Sequence, residues 1–233
     1  MAPRLKLSIV IPVGPGDTAW RDLLDDLAVL KGAAEVILVA PTGETPPDFV
    51  PADHGLRIPA RWQEAPAGRA RQQNAGAADA AGETLWFLHA DSRLTAAATN
   101  AAMAFCGHAA LGYFNLEFDT DGPWLTRLNA LGARLRSRWL GLPFGDQGLL
   151  LPRRLFDAIG GFDESLHAGE DHALVWAARR AGIPLASVGV ALRTSGRRYA
   201  EHGWLRTTLH HASLTVTQAY RFARSSAAPR DRS

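Results

Sequence analysis

The stretch TLWFLHADSRL, residues 84–94, ends a run of bulky apolar residues on Asp91, Ser92 and Arg93. A short continuous apolar run is typical of a strand that is buried on both faces of a sheet. Ligands of open α/β sheets bind outside the carboxyl ends of the strands, so the exit at Asp91 is a candidate site. Asp91, Ser92 and Thr95 are also explained as caps of a helix after residue 95, and this alternative stays open.

The residues before this stretch alternate between strand patterns and helix patterns. Apolar runs predict buried strands at Leu7–Val13 and Glu35–Ala40, and a weaker third strand at Leu56–Trp62. Helices are predicted from Trp20 to Leu30 and over residues 67–81. This alternation predicts an α/β fold with a mostly parallel sheet between two layers of helices, a Rossmann-like three-layer sandwich.

The second half of the chain is less regular. It predicts helices at 95–106, 153–159, 170–181 and about 203–223, and strands at Tyr113–Phe118, 148–151 and Leu185–Val190. We find no repeat and no linker, so the sequence predicts one domain over residues 1–225 and a flexible tail at 226–233.

Residues 124–139 carry leucines and a tryptophan at helical spacing, with four arginines among them. Two interpretations are open. The one we favour is that this helix and the final helix cover the sheet. The other is that they lie against a membrane and meet a lipid-linked acceptor.

Composition excludes several classes of protein. The chain has 233 residues and a formal net charge of +2, so no strong field for nucleic acid follows, and no nucleic-acid partner is expected. The single cysteine excludes an internal disulfide and fits a reducing, cytoplasmic compartment. No segment reaches about 18 uninterrupted apolar residues, so a spanning helix is not expected.

Two acidic stretches are candidates for chemistry. Glu170 and Asp171 open a predicted helix, where the helix dipole favours acids, but one of two adjacent acids is also suited to act as a general base. Asp146 and Gln147 lie between two glycines, in a turn that lets the backbone approach a ligand. A plain tight turn explains Asp146 equally well.

Arg197 and Arg198 lie on a loop before the final predicted helix. They are either a solvated basic loop or a clamp on a diphosphate. Other phosphate and metal motifs are excluded: residues 14–16 read Gly-Pro-Gly without the third glycine of a dinucleotide fingerprint, and there is no P-loop or zinc pattern.

Taken together, these stretches resemble the family 2 glycosyltransferases of the GT-A fold. Within that family the sequence is most similar to a small bacterial subgroup found near radical-SAM and selenium-related genes. Five segments match in family order over about 200 residues: 8–13, 68–94, 145–164, 170–182 and 194–203.

The resemblance implies an inverting transfer of a sugar from a nucleoside-diphosphate-sugar donor to a hydroxyl acceptor, assisted by Mg²⁺ or Mn²⁺. It implies that Asp171 is the base with Glu170 beside it, that Asp91 holds the metal, and that Asp146 and Gln147 lie on the acceptor side. The implied donor contacts are Pro12, Arg69, Asn74, Asp91, Ser92, Arg197 and Arg198. Residues 1–95 would then bind the nucleotide sugar, and residues 96–225 would bind the acceptor and carry the catalysis.

Two departures from the family pattern keep alternatives open. The family's Asp-x-Asp element is shortened here to Asp91-Ser92-Arg93, and Ala40 stands where the family places an acid after the second strand. A catalytically degenerate GT-A domain that acts as a binding module is therefore the rival hypothesis. A nucleotidyltransferase on a similar fold is less favoured, because Gly14–Asp17 supplies no basic residue for a triphosphate.

Overall fold

The computed structural model describes residues 5–44, 50–119, 121–195, 199, 203–208, 213 and 217, and every structural statement below concerns these residues. The strands are β1 (Leu7–Pro12), β2 (Ala34–Pro41), β3 (Ala60–Ala65), β4 (Thr84–Phe87), β5 (Ser92–Arg93), β6 (Leu111–Phe118), β7 (Leu150–Pro152) and β8 (Leu185–Thr194). The α-helices are α1 (Trp20–Leu27), α2 (Arg69–Asp79), α3 (Ala96–Phe105), α4 (Thr126–Leu135), α5 (Arg153–Ala158) and α6 (Glu170–Arg180).

The eight described strands form one mixed sheet, in the order β3-β2-β1-β4-β7-β6-β8-β5. β1 pairs in parallel with β2 and with β4, and β2 pairs in parallel with β3. β7 runs antiparallel to both β4 and β6, whereas β6 and β8 are parallel. The predicted α/β class, with a mostly parallel sheet and flanking helices, is confirmed.

The first strands form because their residues are apolar throughout. Every residue of β1 and of β2 is buried, as expected for central strands of a sheet covered on both faces. Helix α2 lies close against them because Gly76 has no side chain: a Cβ there would lie 2.5 Å from Val10 Cγ1. The Gln72 side-chain amide on the same helix donates to the carbonyls of Val13 and Val39, which fixes the carboxyl ends of β1 and β2 together.

The third strand was predicted at Leu56–Trp62 and lies at Ala60–Ala65. Leu56 and Ile58 are buried, but they pack into the core before the strand begins. Buried residues therefore begin at Leu56, four residues before the strand itself begins at Ala60. An apolar pattern in the sequence indicates where burial begins but not where the strand begins.

The predicted helix 124–139 is present from Thr126 onward and packs on the sheet, as the favoured interpretation expected, but it does so with a face other than its leucine-rich one. It is α4 continued by a π-helical turn at Arg136–Leu140, and it packs on β6. The residues it buries are small or polar: Thr126, Ala133 and Ser137. Most of its large apolar side chains are exposed instead: Trp124, Leu128, Leu131, Leu135, Trp139 and Leu140.

No helix in the described ranges is long and apolar enough to cross a bilayer. Residues 204–208 are helical, as the predicted final helix requires. The predicted flexible tail at 226–233 lies outside the described residues.

Candidate active site

Three carboxylates from different elements converge at one edge of the sheet. Asp91 follows β4, Asp146 lies in the 3-10 turn Gly145–Gln147, and Asp171 is the second residue of α6. Burial raises the pKa of Asp146 to about 6; the Arg136 guanidinium opposes this rise, and the charges of Asp171 and Asp91 add to it. The charges of Asp91 and Asp171, eighty positions apart, therefore both act on the Asp146 carboxylate, which places the three side chains in one region of the structure.

Asp171 is held in place by backbone hydrogen bonds. Its Oδ2 accepts from the Gly145 N–H at 2.6 Å, and its Oδ1 accepts from the His172 N–H at 2.9 Å. Burial works to raise the pKa of Asp171, but His172, these two N–H groups and His89 outweigh it, so the pKa is lowered. The pKa of His172 is itself lowered to about 4 by burial, so at neutral pH its ring is neutral and the N–H bonds keep Asp171 ionised.

Gly145 allows the end of β4 and the start of α6 to meet. A Cβ at this position would lie 3.0 Å from His89 Nε2 and 3.1 Å from Asp171 Oδ2. A side chain at position 145 would make His89 or Asp171 shift by a few tenths of an ångström. The glycine noted in the sequence therefore fits the tight space beside these two side chains.

Glu170 points away from the cleft towards α2. Its buried carboxylate pairs with the Arg69 guanidinium at 3.3 Å. Burial, together with the charge of Asp171, raises the pKa of Glu170, and Arg69 opposes that rise. This ion pair joins the first turn of α6 to the first turn of α2. Glu170 and Arg69, both predicted site residues, therefore bind each other in the absence of a ligand.

Two further predicted residues hold loops in place. The Gln147 carboxamide is buried; its oxygen accepts from the Ser137 hydroxyl and the Phe144 N–H, and its nitrogen donates to the Phe114 carbonyl. The Asn74 amide makes three bonds to the segment after α5: it donates to the Phe162 carbonyl and to the Glu164 carboxylate and accepts from the Phe162 N–H. Both hydrogens of the Asn74 amide are used in these bonds, so the predicted donor contact would require Asn74 to give up one of them.

Ser92 and Arg93 belong to the framework of the site. Ser92 is buried in β5 opposite Thr194 of β8. The Arg93 guanidinium makes a two-pronged ion pair with Asp26 of α1, at 2.8 and 3.1 Å. Arg93 therefore connects the segment that follows β4 to helix α1.

Sequence reasoning missed Arg136 and Tyr199. Arg136 lies 3.1 Å from the centre of the Phe144 ring, and burial lowers its pKa to about 10 against the opposing charges of Asp146, Asp171 and Tyr199. Burial also raises the pKa of the Tyr199 phenol, with a further contribution from Asp146. In the sequence, Arg136 was one of four arginines on a helix, and no local pattern marks it as the one that faces inward.

A cavity of about 150 Å³ opens beyond the carboxyl ends of β1 and β2. Its walls are Val13, Gly14, Gly16, Asp17, Thr18, Trp20, Arg21, Ala40, Glu44 and Trp62. The indole N–H of Trp62 is buried and has no hydrogen-bond partner among the described residues. Pro12, the last residue of β1, is buried beside this cavity, whereas Arg197 and Arg198 lie outside the described residues.

The carboxylates fit a divalent cation that is shared with a ligand. Among the described residues there is no preformed group of three His, Cys, Asp or Glu side chains around a metal position. Mg²⁺ sites for nucleotides need only one or two carboxylates, since phosphate oxygens and waters complete the shell. Asp146 Oδ1 is buried without a partner in the described part of the chain, within range of the charge on Asp91. Such a concentration of negative charge favours a bound cation.

No protein-family profile and no curated protein matches the chain. Several solved structures do match the chain. S. aureus TarS 1-349 in complex with UDP-GlcNAc aligns with a TM-score of 0.60 and 17% identity over 82% of this chain and 58% of that one. The mannosyltransferase PcManGT from Pyrobaculum calidifontis, in complex with GDP-Man and Mn²⁺, aligns with a TM-score of 0.61 and 19% identity over 88% of this chain and 60% of that one.

The chain spans 37% of the length of full TarS and 60% or less of the other two structures compared. At this low identity, the likeness shows the fold. The α/β fold of this chain is the GT-A type fold of those glycosyltransferases.

Proposed function

We propose that this protein transfers a sugar from a nucleoside-diphosphate-sugar donor to a hydroxyl acceptor, with inversion at the anomeric carbon. The single observation that carries the proposal is that Asp91 and Asp171 both lie close enough to Asp146 for their charges to act on its carboxylate. A group of carboxylates beside the exit of a parallel strand can provide both a cation anchor and an ionised base.

Asp171 is the general base. It is ionised at neutral pH, fixed by two N–H groups, and free of any ion pair with an arginine or lysine among the described residues. It takes the proton from the acceptor hydroxyl as that oxygen attacks the anomeric carbon from the side opposite the leaving diphosphate. Glu170 is then a positioning residue, since its carboxylate holds Arg69 at the start of α2.

Asp91 would hold the metal ion, and Asp146 lies close enough for the charge of Asp91 to act on its carboxylate. Bound Mg²⁺ or Mn²⁺ would supply charge to stabilise the departing nucleoside diphosphate. Arg136 supplies a fixed positive charge on the acceptor side, where it balances Asp146 and Asp171 before any ligand binds. Arg197 and Arg198 remain the predicted diphosphate contacts from the sequence.

The nucleoside is proposed to bind in the cavity beside Trp62. The family's acid after the second strand is replaced by Ala40, but the same cavity includes Asp17 and Glu44 as carboxylate acceptors. Trp62 lines the cavity, and its buried N–H, which has no partner among the described residues, is the proposed donor to a ribose or base oxygen. This composition supports a retained donor site with altered recognition, and it argues against the degenerate binding-module alternative.

We assign the protein to the family 2 glycosyltransferases, and within them to the bacterial radical-SAM and selenium-associated subgroup, on the five matching segments. This proposal includes one domain over 1–225, a cytoplasmic location and an acceptor that carries a hydroxyl group.

A thermal-shift screen with UDP-, GDP- and dTDP-sugars in Mn²⁺ tests the proposed function. We expect one nucleotide class to raise the melting temperature, by about 4–8 °C if binding adds 2 kcal/mol at this chain length. The same ligands with EDTA should give a smaller shift. A flat response to all donors, with and without Mn²⁺, would favour the binding-module alternative.

A further inference from the structure

The helical segment 124–140 presents an apolar face to solvent. Its side chains at Trp124, Leu128, Leu131, Leu135 and Trp139 follow each other at spacings of three or four residues and therefore share one side. Trp124 is 73% exposed and Trp139 is 76% exposed, and the three leucines are each about half exposed. At 1.5 Å per residue the face is about 25 Å long, far larger than an isolated exposed leucine.

The charged side chains that this segment itself carries are all arginines. Between Asp121 and Asp146 the sequence contains no acidic residue and four arginines. Arg127, Arg134 and Arg138 are exposed next to the apolar side chains, whereas Arg136 turns inward towards the carboxylates. An apolar face bordered by arginines, with tryptophan at both ends, is the composition of a helix that lies in the interface of an anionic bilayer.

We infer that the 124–140 face docks on a membrane surface that carries anionic headgroups. Apolar side chains would enter the headgroup–acyl boundary, while the three exposed arginines contact lipid phosphates. The described helices include none that spans a bilayer, so the contact is peripheral.

Charge argues against the two other occupants. A second copy docked by two-fold symmetry would bring the same arginines of both copies together, which is unfavourable. The chain's own residues 218–233 contain four arginines and one aspartate, so this segment would also add positive charge to a positive face.

The same segment connects the docking face to the cleft. Ser137 bonds to Gln147 beside Asp146, and Arg136 faces Asp146 and Asp171, while the neighbouring Leu135 and Trp139 point outward. A membrane on this face would lie next to the acceptor side of the site. A lipid-linked hydroxyl acceptor follows from this placement; that part rests on the proposed function, whereas the docking surface does not.

Vesicle flotation tests the docking surface without any sugar donor. We expect the full chain to float with phosphatidylglycerol vesicles and to bind phosphatidylcholine vesicles at least about tenfold more weakly, because the arginines need an anionic partner. Leu128→Ser/Leu131→Ser should lower binding by about tenfold or more, since two apolar side chains no longer enter the bilayer. Val29→Ser/Val50→Ser is the matched control, because both valines are 49% exposed and lie outside this face.

Three results would overturn the inference. Wild-type protein that floats with neither vesicle has no such surface. If the Leu128→Ser/Leu131→Ser variant binds phosphatidylglycerol vesicles as strongly as wild type does, the membrane contact lies outside this face. If light scattering shows that the wild-type protein is a dimer and that this variant is a monomer, the face binds a second copy of the chain and not a membrane. If the leucine variant fails to fold by circular dichroism, Arg127→Gln/Arg134→Gln/Arg138→Gln gives the same test through charge.

Discussion

The cavity beside Trp62 and the cluster of Asp91, Asp146 and Asp171 lie along the same edge of the sheet but are built differently. In the cavity, two of the charged groups have local partners: Asp17 accepts from the Ala19 N–H at 2.9 Å, and Arg21 lies over the Trp20 ring. In the cluster, carboxylates are crowded together and shift each other's pKa values. Crowding of this kind lowers fold stability, and it is typical of sites that carry out chemistry, whereas the cavity has the features of a binding surface.

The largest effect should come from the cluster. Asp171→Asn removes the proposed base, so turnover should fall by about 10²–10⁴-fold. Donor affinity should change little, because the cavity is untouched. Turnover and donor binding are measured together, with Asp157→Asn as a control for loss of an exposed acid. A fully active Asp171→Asn enzyme would remove Asp171 from the role.

Asp91→Ala should affect binding through the metal. We expect Mn²⁺-dependent donor affinity to fall by about 10–100-fold, while affinity in EDTA stays the same. Calorimetry with and without Mn²⁺ measures both values. Equal losses in the two buffers would show that Asp91 acts on the fold or the sugar and not on the metal.

Asp146→Asn should make the protein more stable. In the native state the pKa of Asp146 is raised from 3.8 to about 6, so above pH 6 its ionised form costs stability and below pH 4 it costs almost none. Removing the charge should add about 2 kcal/mol to the free energy of unfolding at pH 7, after allowance for partial exposure.

This gain should shrink as the pH falls from 6 to 4, and denaturant unfolding in EDTA measures it. The lowered pKa of His172, about 4, acts in the opposite direction, because the unfolded imidazole takes up a proton first. His172 is present in both proteins, so the difference between them reports Asp146. A gain that is independent of pH would contradict the assigned cause.

Trp62→Phe should have the smallest effect, and it acts on the cavity. The ring keeps its packing against Trp20 but loses the N–H, so donor affinity should fall by roughly three- to tenfold, the value of one hydrogen bond. Turnover at saturating donor should be unchanged. Titration with the nucleotide identified in the thermal-shift screen measures donor affinity. A fall in turnover with unchanged donor affinity would instead assign Trp62 a role in catalysis.

The sequence allowed much of this arrangement to be predicted, for identifiable reasons. β1 and β2 are apolar at nearly every position, so their burial and pairing follow from composition. Asp91 and Asp171 could be proposed as site residues because strand exits and helix starts can be located from periodicity. Which face of the 124–140 helix packs on the sheet could not be predicted. Helical spacing shows which residues share a face, but it does not show whether that face contacts the sheet or solvent. Arg136 was missed for the same reason, since its place in the cleft depends on how α4 packs against β6.

The most direct test of the shared cleft is ¹³C NMR of protein labelled at the aspartate carboxyl carbons, with Mn²⁺ and the nucleoside diphosphate that binds. Signals would be assigned through the individual Asp→Asn variants. Broadening by the bound Mn²⁺ should be strong for Asp91, Asp146 and Asp171 and weak for Asp53 and Asp157. A sharp Asp171 signal with metal and nucleotide bound would contradict the account, because its base would then lie away from the reacting sugar.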